Sequence, residues 1–126
     1  MTKNTQRFLR FHRENPHVYD KFCHVTLRAI QRGFKNFGAS AVFEIMRWET
    51  GTIYQTTTKH LSNVYRAYYA RWFEINHPTY KGFFRNRPST ADELKSLPKE
   101  SIEQYNRIHE LNTNHDVKEK QTAGVN

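Results

Sequence analysis

Apolar residues recur at helical spacing in three stretches of the chain, each bracketed by residues that start or stop helices. Between Asn15-Pro16 and Gly33, the residues Val18, Phe22, Val25 and Ala29 repeat every three or four positions, with Tyr19, Thr26 and Ile30 beside them. Asn is a favoured N-cap, Pro at the first helical position sacrifices no hydrogen bond, and Gly suits a helix C-terminus. This pattern predicts a first helix over about 16–32. Phe8, Leu9 and Phe11 lie just upstream and are expected to fold back on its start, with their own conformation left open. Ser40 is placed to cap a short second helix over 41–48, whose apolar stripe is Ala41, Val42, Ile45, Met46 and Trp48, with Gly51 ending it. Residues 51–56 are β-branched and aromatic and read as a short strand or an extended connection.

The longest pattern follows. Thr57 or Thr58 can cap a third helix in which Leu61, Tyr65, Tyr68, Trp72 and Ile75 form one seam, with Phe73 on the same core side. The opposite face would carry Lys59, Asn63, Arg66 and Ala70, and Pro78 stops the helix. Residues 79–87, TYKGFFRNR, place Gly82 between aromatics and suit a small hairpin or an irregular loop. Ser89 or Thr90 can cap a turn over 91–97. Pro98 then opens an amphipathic helix bearing Ile102, Tyr105, Ile108 and Leu111, and the last dozen residues read as disordered.

Charge sharpens this division. The 126 residues carry a net +8. Residues 1–88 hold 15 Lys and Arg against 5 Asp and Glu, whereas residues 89–126 hold 5 against 7. Seventeen of the eighteen aromatics also precede Pro88. The expected organisation is a basic helical domain over 1–88 and a polar, partly helical tail over 89–126. No apolar run approaches the roughly 18 residues of a membrane span, and the N-terminus has no apolar signal core. The lone Cys23 leaves no intrachain disulfide and fits a reducing compartment.

A local excess of ten positive charges is an electrostatic footprint for phosphate, set against the plainer reading of a solvated basic surface. On the third helix, Asn63 and Arg66 are of the types that pair with purine edges, and Lys59 and Arg71 suit phosphates. Lys81, Arg85 and Arg87 would contact the backbone beside it, in the manner of a wing. Arg7, Arg10 and Arg13 would share one face if their segment is helical, or follow a groove if it is extended. The order of elements is that of a winged helix-turn-helix domain, although the 49–57 link is longer than the usual turn, so a plain helical bundle stays open. The seven His residues and Cys23 have no metal-ligand spacing, the carboxylates of 1–88 show no paired motif, and no Gly-rich phosphate loop is present. Neither an enzyme nor a cofactor or metal is expected.

The segments FLRFHRENPHVY (8–19), RWE (47–49), NVYRAYYAR (63–71), Pro78 and FFRNR (83–87) resemble small proteins encoded by bacteriophages and prophages. The resemblance covers about 8–87 and implies a phage or prophage origin and a bacterial host cytoplasm. The leading expectation is a mainly α, winged helix-turn-helix-like DNA-binding protein acting in phage gene regulation or DNA metabolism, with a homodimer compatible. The alternative that the resemblance raises is an inhibitor that binds a host protein or sequesters a nucleotide.

Overall fold

Asn15 and Pro16 divide the N-terminal part of the chain into two helices where one might have run on. The computed structural model describes residues 1–50 and 62–107. Helix α1 spans Lys3–Glu14, and the Thr2 hydroxyl caps it by accepting from the Thr5 N–H at 3.3 Å. Its inward residues, Thr5, Phe8, Leu9 and His12, are spaced as one helical stripe. The Asn15 N–H and side-chain amide both donate to the Phe11 carbonyl, at 2.8 and 3.1 Å. Asn15 therefore seals the end of α1, and Pro16 opens α2 (Pro16–Gln31) without a side-chain cap. At the far end of α2, Gly33 has φ +93°. Its N–H reaches the Ile30 carbonyl and that of Phe34 reaches Ala29, the paired bonds of a Schellman cap.

Helix α3 spans Ala39–Thr50 and buries Val42, Phe43 and Met46 against α2 and the helix that follows it among the described residues. It starts one residue ahead of Ser40, with the Gly38 carbonyl accepting from the Ala41 and Val42 N–H groups. Trp48, assigned by spacing to the buried stripe, is instead 88% exposed. Two residues past Met46 is a 200° rotation, which carries it to the opposite side. The strand expected over 51–56, the cap at Thr57 or Thr58, Leu61 and Lys59 lie outside the described residues.

Helix α4 (Tyr65–Asn76) differs from the expected third helix in two respects. The chain turns at Asn63 and Val64, where the Val64 N–H donates to the Ser62 hydroxyl at 3.2 Å, so no single rod runs through this point. The face opposite the seam is also not free. Seven consecutive residues, Tyr68 to Glu74, are buried, Ala70 among them, because α1, α2, α3 and a later 3-10 segment pack around α4. A helix buried on all sides is a core element rather than an amphipathic surface one.

After a 3-10 turn at Pro78–Tyr80 and Gly82 at φ +90°, Phe83 and Phe84 insert into the core. There is no strand among the described residues. Residues 79–87 take the loop alternative, and the Phe37 N–H to the Phe83 carbonyl (3.3 Å) is a single backbone link rather than a ladder. The composition shift at Pro88 is not a boundary of packing. Thr90–Ser96 forms a 3-10 segment under a Ser89–Asp92 capping box, and its Ala91 and Leu94 are completely buried. A further helix, α5, covers 99–107. Its Tyr105 meets Trp72 edge-on at 5.9 Å, and Asn106 donates to Asn76 at 2.9 Å.

The described residues thus form a compact helical domain with α4 at its centre. Tyr69 is the hub, with ring centroids of Phe8, Phe22, Tyr19 and Phe43 at 5.0, 5.5, 5.9 and 6.0 Å. Its hydroxyl has no hydrogen-bond partner among the described residues, and burial pushes its pKa well up.

Three stability outcomes follow from this packing. Trp72→Ala costs about 3–5 kcal/mol in chemical denaturation, as expected for a fully buried indole. Tyr69→Phe is neutral or stabilising by about 1 kcal/mol, because it removes a desolvated hydroxyl without opening a cavity. A chain ending at residue 88 loses the cooperative unfolding transition that a chain ending at 107 retains, read by circular dichroism.

Candidate nucleic-acid interface

The outward face of α1 gathers four exposed cations. With Thr5, Phe8, Leu9 and His12 turned inward, the 100° rotation per residue puts Lys3, Arg7 and Arg10 within one arc facing solvent, with Arg13 beside Arg10. All four are exposed and none joins an ion pair among the described residues. The face carries one carboxylate, Glu14. Charges one turn apart, about 5–6 Å, over a span of about 15 Å, match a run of phosphates better than any single small anion.

Arg66 adjoins this face. Its neighbour Tyr65 packs on Phe11 with ring centroids 4.8 Å apart, and Arg7 lies one helical turn before Phe11 on the same side of α1. Arg66 itself is exposed at the start of α4. Asn63, the other candidate base reader, is exposed on the turn before α4, where its side-chain oxygen accepts from Arg47 at 2.7 Å. Lys59 falls outside the described residues.

Arg71 goes the other way. It is 3% exposed, so the phosphate contact expected of it gives way to an internal role. Its Nε donates to Asp92 at 3.1 Å and its Nη1 to Asn86 at 3.0 Å, and its Nη2 donates to the Arg87 carbonyl. Asn86 in turn donates to the buried Glu74 at 2.9 Å. Lys81, Arg85 and Arg87 are exposed along the loop after α4. Lys81 lines a cleft with Phe34 and Lys35 beyond the C-terminal end of α2, away from α1. The expected cations are thus not brought onto one rod. Arg66 joins α1, Arg71 is interior, and Lys81 belongs to a second surface.

Several other cations are already matched. Lys21 and Arg28 of α2 both hold Glu49 of α3, the former at 2.7 Å, and Arg47 pairs with Glu44. The Lys21 hydrogen bond, with help from Arg28, draws the Glu49 pKa down. No group of three or more His, Cys, Asp and Glu side chains comes together among the described residues. Burial pushes the Cys23 thiol up to about 12, which keeps it protonated and a poor nucleophile. No helix among the described residues is long and apolar enough to cross a membrane.

What fixes α1 in place is one acidic residue of the 3-10 segment, Glu93. Glu93 accepts from the Thr2 N–H at 3.1 Å and from the hydroxyls of Thr2 and Thr5. The Thr5 hydroxyl also meets that of Tyr68 at 3.0 Å, and Tyr68 meets Thr90 at 2.8 Å. The basic stripe was visible in the sequence as Arg7, Arg10 and Arg13. Lys3 was missed, and the spacing of Thr5 with Phe8, Leu9 and His12 was the signal that would have included it.

No protein-family model, curated protein or solved structure matches the chain.

The carboxylates of the 3-10 segment make stability depend on acid. The Ser89 N–H and then Arg71 lower the Asp92 pKa, and the Thr5 hydroxyl and then the Thr2 N–H lower that of Glu93. Groups whose folded pKa is depressed contribute stability that is present above the unfolded value, about 4, and lost as pH falls through the folded one. Thermal melts are expected to hold level from neutral pH to about 5 and to decline below about 4. In the Asp92→Asn, Glu93→Gln double variant the acid decline becomes shallower.

Proposed function

We propose that this chain is a non-enzymatic, helical DNA-binding protein of phage origin that grips the phosphate backbone with the outward face of α1. The observation that carries this reading is the row of four exposed, unpaired cations, Lys3, Arg7, Arg10 and Arg13, on a helix whose other side is locked into the core. Phosphate contacts supply most of the sequence-independent affinity of DNA-binding proteins, and they demand this kind of surface. Arg66 extends the row from α4. The resemblance to small phage and prophage proteins supports a place in the bacterial host cytoplasm and a role in phage gene regulation or DNA metabolism.

The contact is drawn on α1, not on a recognition helix in the winged helix-turn-helix manner, because α4 is enclosed along most of its length. Asn63 and Arg66, at its exposed start, remain the residues best placed to touch base edges. The second reading, an inhibitor of a host protein, is favoured by one observation: the indole of Trp48 stands 88% exposed on α3.

Mobility shifts across a salt series test the proposal. With four to five phosphates neutralised, log affinity falls against log salt with a slope of about −4. The Arg7→Ala, Arg10→Ala, Arg13→Ala triple variant, whose positions are exposed, is expected to make that slope shallower by about 3 while keeping its melting temperature. Unchanged affinity and slope in this variant would refute the α1 interface.

A further inference from the structure

The Schellman cap that ends α2 does something unusual with the residue that follows it. In such caps the residue after the glycine commonly packs its side chain back on the helix. Here that residue is Phe34, and its ring is 52% exposed, resting edge-on against Phe37 at 5.4 Å. It stands as a ridge between two open clefts. One, about 370 Å³, runs between α2 and α3 past Arg28, Arg32 and Ile45. The other, about 250 Å³, lies toward Lys35, Tyr80 and Lys81.

The charge around this ring is one-sided. Arg32, Lys35 and Lys81 are exposed and have no ion pair among the described residues. The one carboxylate in the two clefts, Glu49, is held by both Lys21 and Arg28. The rim is also unobstructed: a side chain at Gly33 or Gly82 would meet nothing within 4 Å.

We propose that this surface is a stacking platform for single-stranded nucleic acid, with a base lying on the Phe34 ring and the flanking phosphates held by Arg32, Lys35 and Lys81. An exposed ring with cations on both flanks matches the two demands of such a strand, a π-face for a base and positive charge for its backbone. A duplex does not fit, because its base faces are already occupied by their neighbours. The platform shares only its ligand class with the α1 reading. The two surfaces use different residues and fail separately.

The test uses the full chain and two labelled oligomers of equal length, oligothymidine and an abasic backbone, with binding read by fluorescence anisotropy. The wild type is expected to prefer the base-bearing strand by about tenfold, the scale of one aromatic stack. Phe34→Ala loses that preference while keeping its melting temperature, and Phe34→Trp restores it. Lys81→Ala weakens binding to both oligomers alike. A Phe34→Ala variant that keeps the wild-type preference, or a wild type without one, overturns the platform. If the α1 triple variant alone loses affinity, the platform falls and the α1 interface stands; if Phe34→Ala alone loses it, the reverse holds. Binding to neither oligomer overturns the platform and leaves the exposed ring to a protein partner, while the α1 interface is decided by the salt-series mobility shifts.

Discussion

The guanidinium of Arg71 is almost wholly buried, and the way the chain closes follows from the need to satisfy it. A charge taken out of water costs several kcal/mol unless it is paired and hydrogen-bonded. Helix α4 supplies only the Ala67 carbonyl within reach, at 3.5 Å. The remaining acceptors come from Asn86, Arg87 and Asp92, so the segment after α4 must turn back across it. That return orders the 3-10 segment, drops Ala91 and Leu94 into the core and presents Glu93 to the first turn of α1. The basic row on α1 therefore takes its orientation, at one remove, from a buried charge on another helix.

A small domain of modest hydrophobic content needs large side chains at its few core positions. Aromatic rings bury more area per residue than aliphatic ones and interlock edge to face. Phe8 meets Tyr69 edge-on, Tyr19 and Phe22 stack on it, Phe43 lies tilted against it, and Trp72 meets His12 edge-on, which leaves the outer turns free for charge. The cost shows in the hydroxyl of Tyr69 and the indole N–H of Trp72, both buried without a hydrogen-bond partner among the described residues.

Local rules were enough to read α2. The Asn15-Pro16 start, the spacing of Val18, Phe22, Val25 and Ala29, and the Gly33 stop each act within a few residues. The cap at Ser89, one of the two that the sequence offers, was legible for the same reason, as was the Pro98 start of α5. The stripe of α1 was harder because Thr5 and His12, two of its four buried members, are polar types that hydrophobic periodicity does not count. The burial of α4 was not legible. Its seam was plain, but Ala70 read as part of the opposite face and Arg71 as a phosphate contact, because the partners that hold Arg71, Asp92 and Asn86, come from distant sequence. The acidic excess after Pro88 misled for a related reason: counter-ions for a basic core have to come from somewhere, and a shift in composition can mark a complementary element as easily as a linker. The candidate interface suffered most, since a rod of cations over 59–71 depends on long-range packing that spacing does not report.

The two surfaces proposed for nucleic acid sit at opposite ends of α2. Its first residue follows the C-terminus of α1, where Arg13 lies, and its last turn leads into Phe34. Sixteen helical residues separate them by about 24 Å. A strand engaging both would have to run the length of α2. Each surface alone is small, with four cations or one ring and three cations, and would hold a strand weakly and release it quickly. Joined by one strand, the second contact becomes intramolecular, and its effective concentration is set by the length of the strand between them. A strand too short to span α2 gains nothing from the second surface, so affinity should rise steeply with oligomer length once that span is reached, and a protein with a single phosphate-binding face has no reason to show such a step.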